Sequence, residues 1–201
     1  MIELYCGDGK GKTTAAAGMA VRAAGNGIPV VFFQFMKDGS SGEMKILRQL
    51  PEVTVYYPET FYGFSNALNG QQKEEMKIQY AKFLEMAACL IEKQHSVQRQ
   101  ENIRKIQNGE GVEQVRRQPG HMAEVRAMII LDEIIHACNK ELVSEENLLK
   151  LLEECPDDTE IILTGRNPSE RILEKADYIS EIENQRHPFD RGIKARKGIE
   201  R

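Results

Sequence analysis

Long apolar runs are missing from this chain of 201 residues. None approaches the roughly 18 residues that a membrane helix needs, so a helical span is excluded. Charged Glu3, Asp8, Lys10 and Lys12 also break up the N-terminus where a secretory signal would be apolar. Cysteine is scarce and scattered. Cys6, Cys89, Cys138 and Cys155 form no Cys-x-x-Cys pair, which argues against a disulfide framework and against a zinc site. They read as reduced thiols of a cytoplasmic protein, with Cys89 and Cys138 as small core residues among apolar neighbours. A strong charge of one sign is lacking too. The net charge of −4 gives no global signal for nucleic acid or a membrane surface, and only the stretch from Lys194 to Arg201 is locally basic.

What is present is the mix of an ordinary globular protein, 41% hydrophobic and 29% charged. The length fits one domain over residues 1–201. Met1 to Cys6 and Ile28 to Phe35 read as buried strands, with an alanine-rich helix from Thr13 to Ala24 between them. Gly25-Asn26-Gly27 stops that helix, since glycine and asparagine tolerate the left-handed conformation. Val53 to Tyr57 is a further strand. Met76, Tyr80, Phe83, Leu84, Ala87 and Leu90-Ile91 make one stripe on a helix from Gln71 to about Lys93. A polar insertion at about 94–124 follows, either a helical arm broken near Gly109 or a loop. Ala127 to Leu131 is a strand, Glu145 to Glu154 a helix capped by Ser144, and Glu160 to Leu163 a strand. Pro168 to Lys175 reads as a helix with proline at a permitted early position, and Tyr178 to Ile182 as a last strand. Strands apolar on both faces, alternating with helices, predict an α/β fold of the P-loop NTPase-like, doubly wound kind, with a mainly parallel sheet covered on both faces.

Between the first strand and the first helix lies Gly7-Asp8-Gly9-Lys10-Gly11-Lys12-Thr13-Thr14. Glycines let the backbone turn sharply and aim successive N–H groups inward, at a helix N-terminus where the dipole favours anions. A lysine then reaches the outer phosphates of a nucleoside triphosphate and the next hydroxyl holds Mg²⁺. Lys12 and Thr13 take those roles. One departure stands out: the usual pattern wants glycine where Cys6 sits, and here it comes one residue later, at Gly7. The bland alternative is a glycine-rich turn with incidental lysines, which the strand–loop–helix context disfavours.

A nucleotide–metal site also needs an acidic group on a neighbouring strand, and Asp132-Glu133 ends an apolar strand at the edge where such sheets bind ligands. Asp132 is the candidate to support Mg²⁺, and Glu133 is either a second metal contact or a water-orienting base. A solvated strand end is the alternative for the pair taken alone. Kinases, motor ATPases, GTPases and group transferases share this equipment, and the absence of a guanine-reading Asn-Lys-x-Asp lowers the GTPase reading.

Several stretches together resemble the P-loop ATP:corrinoid adenosyltransferase (cob(I)alamin adenosyltransferase) family. Gly7 to Ala16 matches its opening motif, late first glycine included. Gln34-Phe35, Lys37, Gly42-Glu43, Leu131-Asp132-Glu133 and Leu163-Thr164-Gly165-Arg166-Asn167 follow in order, and the tail from His187 to Glu200 is similar to the family signature almost throughout. The resemblance implies attack by the Co(I) of a reduced corrinoid on the 5′ carbon of ATP, with triphosphate leaving. It implies Gly7, Asp8, Gly9, Lys10, Gly11, Lys12, Thr13 and Thr14 as the ATP loop, Asp132 and Glu133 as the acidic metal region, and ATP, Mg²⁺ and a corrinoid as ligands. It also implies a homodimer and a flavodoxin-type electron donor, and it brings neither nucleic acid nor membrane. Arg166 contacts phosphate or is a surface arginine, and His187 caps the site or packs beside Pro188 and Phe189.

Gly63-Phe64-Ser65-Asn66 corresponds to a family segment whose aromatics press on the corrin. Phe64 remains as a candidate corrinoid contact, but the chain has no tryptophan. That departure keeps a non-catalytic nucleotide- or corrinoid-binding regulator as an alternative, beside a P-loop ATPase or kinase. For the insertion at 94–124, a dimerisation arm, a substrate lid and a tolerated surface insertion all stand.

Overall fold

In a computed structural model, the described residues are 1–63, 68–107 and 124–186, together with 188, 192, 194, 196, 198 and 199; side chains at 98, 99, 101–103 and 105–107 lie outside that description. Among the described residues six strands are present: β1 (Ile2–Cys6), β2 (Val30–Gln34), β3 (Val53–Tyr56), β4 (Ala127–Asp132), β5 (Thr159–Thr164) and β6 (Tyr178–Glu181). They form one sheet in the order β3-β2-β4-β5-β1-β6, and every pairing is parallel.

Helices cover both faces: α1 (Lys12–Ala24), α2 (Gly42–Leu47), α3 (Gly70–Gln107), α4 (Ile134–Asn139), α5 (Glu145–Glu153) and α6 (Glu170–Lys175). Alternate strand residues feed opposite cores, as the pleat requires. Ile129, Leu131, Ile161 and Leu163 join Leu4, Phe33 and Phe35 in a core shared with Met76, Tyr80 and Leu148. Met128, Ile130 and Ile162 join Phe32 beneath Ala16, Ala17, Ala20, Met44 and Leu47. The alanines of α1 let that helix lie close on the sheet.

Several expectations need correction. The helix that the apolar stripe ended near Lys93 runs on to Gln107, so the first half of the polar insertion is helical, and Gly109 lies outside the described residues. Cys89 is exposed on α3 instead of buried, while Cys138 is only partly buried. Pro168 does not start a helix, because Ser169 caps α6 by accepting from the Ile172 N–H at 3.4 Å. In the first helix stop, Gly25 stays right-handed and Gly27 takes the positive φ of 73°. The short helices α2 and α4 were not foreseen. Six residues give too little periodicity to stand out from the strands beside them.

Candidate active site

β1 hands over to α1 through Gly7–Gly11, and the tail after β6 presses on that turn. A Cβ at Gly7 would lie 2.5 Å from the Ile182 carbonyl oxygen, and one at Gly9 2.6 Å from the same atom. Glycine is required there by close approach, quite apart from any ligand. Gly9 donates its N–H to Ile182 O at 2.7 Å, Ile182 donates to Cys6 O at 2.9 Å, and Asn184 donates to Asp8 Oδ1 at 3.0 Å. Asp8 therefore fastens the tail to the loop. The α1 N-terminus has no side-chain cap and no acidic residue in its first turn, which leaves its N–H groups and dipole to an anion.

Lys12 is buried, 6% exposed, and its Nζ donates to Gly7 O at 2.8 Å and Gly9 O at 2.7 Å. Burial pulls its pKa down, and the Arg166 guanidinium adds to that. Glu133, Asp8 and Cys6 pull the other way. A lysine placed like this gains from any anion that arrives beside it.

Asp132, fully buried, is the hub of the site. Its Oδ1 accepts from Thr13 Oγ1 at 2.9 Å and Thr164 Oγ1 at 2.8 Å. Its Oδ2 accepts from Lys37 Nζ at 2.8 Å and Gln34 Nε2 at 3.3 Å. Lys37 Nζ also donates to Thr13 Oγ1 at 2.8 Å. A buried carboxylate is tolerated when it is paired and hydrogen-bonded this fully. Gln34 Oε1, by contrast, is buried without a hydrogen-bond partner. Glu133 caps α4 in the left-handed conformation, φ 62°, and donates its N–H to Thr164 Oγ1 at 2.8 Å. Its carboxylate lies 3.9 Å from Lys37 Nζ and 3.7 Å from His136 Nδ1. Arg166 is exposed on a turn held by Asn139, whose Nδ2 donates to Arg166 O at 2.8 Å and Asn167 O at 3.1 Å.

The sheet's parallel register makes this assembly possible. Gln34 pairs with Asp132 across β2 and β4, and Thr164 pairs with Tyr5 across β5 and β1, so all four strand ends open on one edge. In this order β5 lies between β1 and β4. Thr13 reaches Asp132 because α1 crosses the intervening strand.

Thr13 Oγ1 and Asp132 Oδ2 are hard oxygen donors already in contact with a cation, the Lys37 ammonium, so the pair fits Mg²⁺. Among the described residues no group of three or more His, Cys, Asp or Glu is placed to hold a metal. Two protein ligands completed by water and phosphate oxygens is the usual Mg²⁺ arrangement. Beside the loop an open cleft of about 560 Å³ is lined by Lys10, Arg186 and Arg196 among others.

The structure thus brings Lys12, Thr13, Asp132 and Glu133 together, with Arg166 close enough to act on Lys12 electrostatically. Lys10 and Thr14 are exposed at the rim. Phe64 and His187 lie outside the described residues. Lys37, Gln34 and Thr164 were not foreseen as partners of Asp132. The available signal was their position, since each sits at or just past the C-terminal end of a parallel strand.

The family profile described as ATP:corrinoid adenosyltransferase BtuR/CobO/CobP matches residues 1–201. Similar curated proteins include a corrinoid adenosyltransferase of Escherichia coli K12, 30% identical over 201 residues, which cover all of this chain and 85% of that protein. A corrinoid adenosyltransferase of Sinorhizobium is 28% identical over all of this chain and 79% of its own length. The corrinoid adenosyltransferase CobA of Salmonella typhimurium is 28% identical over all of this chain and 85% of its own length.

Proposed function

This chain belongs to the ATP:corrinoid adenosyltransferase family, and we propose that it transfers the 5′-deoxyadenosyl group of ATP to the Co(I) centre of a reduced corrinoid, in adenosylcobalamin biosynthesis or salvage. The full-length family match carries this reading, and the meeting of Thr13 with Asp132 beside an uncapped helix N-terminus supports it. The cobalt of the substrate supplies the electron pair for the new Co–C bond, the C5′–O bond breaks, and inorganic triphosphate leaves.

The residues suit a reaction in which the triphosphate is the leaving group. Gly7 to Thr14 would cradle it with backbone N–H groups, and Lys12 would leave the loop carbonyls to neutralise it as charge builds on the departing oxygen. Arg166 would add a second positive group from the β5 turn. Mg²⁺, held by Thr13 and Asp132, would supply further neutralisation of that charge. Glu133 would complete the acidic region. Phe64 is assigned to the corrinoid side.

The protein would act in the cytoplasm as a single-domain homodimer supplied with electrons by a flavodoxin-type donor. No helix among the described residues is long and apolar enough to cross a membrane. The test is to mix the protein with MgATP and chemically reduced corrinoid and follow the corrinoid absorbance. Conversion to the adenosylated spectrum above the reagent blank is expected. Folded protein that gives none overturns the proposal.

A further inference from the structure

Two lysines reach the site, and they occupy different places. Lys12 donates to the carbonyl oxygens of Gly7 and Gly9. Lys37 instead bridges Thr13 Oγ1 and Asp132 Oδ2, both at 2.8 Å. Those two side chains are the pair that would hold the divalent ion. We propose that Lys37 is a tethered cation: it fills the metal position between Thr13 and Asp132 in the nucleotide-free protein and gives it up only when the metal arrives bound to nucleotide.

The physical case rests on exclusion and on reach. Mg²⁺ takes oxygens at about 2.0–2.1 Å, and an ammonium already on the same two side chains leaves neither room nor favourable charge for it. A free divalent ion must therefore displace Lys37 unaided, whereas a metal–triphosphate brings anionic oxygens that offer the ammonium a new partner. Lys37 can move: its side chain is 31% exposed, its stem is flexible, and the Glu133 carboxylate 3.9 Å away offers an alternative acceptor. Asp132 stays in place meanwhile through Thr164 and Gln34. Lys37 is thus a positioning residue that holds Thr13 and Asp132 ready and makes metal entry depend on nucleotide.

This inference rests on the nucleotide–metal part of the proposed function and needs no corrinoid to test. Mn²⁺ is the probe, since its free ion is counted directly by electron paramagnetic resonance. Without nucleotide, wild type should bind Mn²⁺ weakly. Lys37→Met should bind one ion at least tenfold more tightly, and Lys37→Gln, which keeps a hydrogen-bond donor, guards against misfolding of the first variant. The gain should vanish when Asp132→Asn is added, and Lys37→Arg should behave as wild type. A wild type that takes up Mn²⁺ with ATP, beside folded variants that gain nothing without it, overturns the role of Lys37 alone. A gain that survives Asp132→Asn overturns it as well. Failure of wild type to bind Mn²⁺ with ATP overturns both this role and the nucleotide–metal reading.

Discussion

At the scale of single residues, charge placement decides most of what this protein can do. Lys12 is held with its pKa lowered by burial, so its ammonium is poorly solvated until an anion arrives. Lys12→Ala should keep the fold but weaken MgATP binding at least tenfold, the loss of one charge-assisted contact of about 1.5–3 kcal/mol. Calorimetric titration measures the affinity, and circular dichroism checks the fold. The thiols allow a second check. Burial pushes the pKa of Cys138 to about 12 and that of Cys155 to about 11, and a raised pKa means less of the reactive thiolate at any given pH. At pH 8, Cys155 would be only about a thousandth thiolate. Iodoacetamide should therefore label exposed Cys89 first, with Cys138 and Cys155 lagging by orders of magnitude until pH rises or the fold opens. Mass spectrometry of timed digests reads the order.

Residue types were legible at this scale wherever a motif surrounds them. The Gly7–Thr14 loop and the Asp132-Glu133 pair carry their chemistry in short spacings. Lys37 does not, because its partners Thr13 and Asp132 are 24 and 95 positions away, and only the sheet register joins them. Cys89 misled for a related reason: apolar neighbours in sequence fall on different sides of a helix.

At the scale of elements, the site depends on contacts made by segments far from it. The Met36 N–H donates to the buried Tyr80 hydroxyl of α3 at 2.8 Å, and Met36 sits at φ 55°, where the chain bends to deliver Lys37. Tyr80 also anchors an aromatic cluster, 5.0 Å from Phe35 between ring centroids. Tyr80→Phe keeps the ring but leaves that N–H without its partner, so stability should fall by about 1–3 kcal/mol. Urea denaturation gives the figure, and an unchanged midpoint would contradict it.

The strand–loop–helix unit depends likewise on residues 182–184, which follow β6. Gly9→Ala places a Cβ 2.6 Å from Ile182 O, and overpacking of this sort costs roughly 1–3 kcal/mol. ATP affinity should fall with it, since loop and tail are displaced together. A variant that binds ATP as wild type would show that the tail contact is dispensable. Strand positions were readable from apolar runs to within a residue or two. The length of α3 was not, because the apolar stripe fades in the sequence beyond Lys93 and none of the described side chains there is fully buried.

At the scale of the whole molecule, an all-parallel sheet collects Gln34, Asp132 and Thr164 on one edge and points the α1 N-terminus at the same place. Alternation of strands and helices announced that architecture. It did not announce that β5 separates β1 from β4, since strand order is fixed by which helical crossovers pack on which face. The same loop, lysine and acidic strand end serve hydrolases and kinases, so the fold leaves open which bond of ATP breaks. Phosphorus NMR of the products, after turnover with MgATP and chemically reduced corrinoid, settles that point most directly. One inorganic triphosphate for each adenosylated corrinoid is the expected result; ADP or orthophosphate as the primary product, with the corrinoid unaltered, would contradict it.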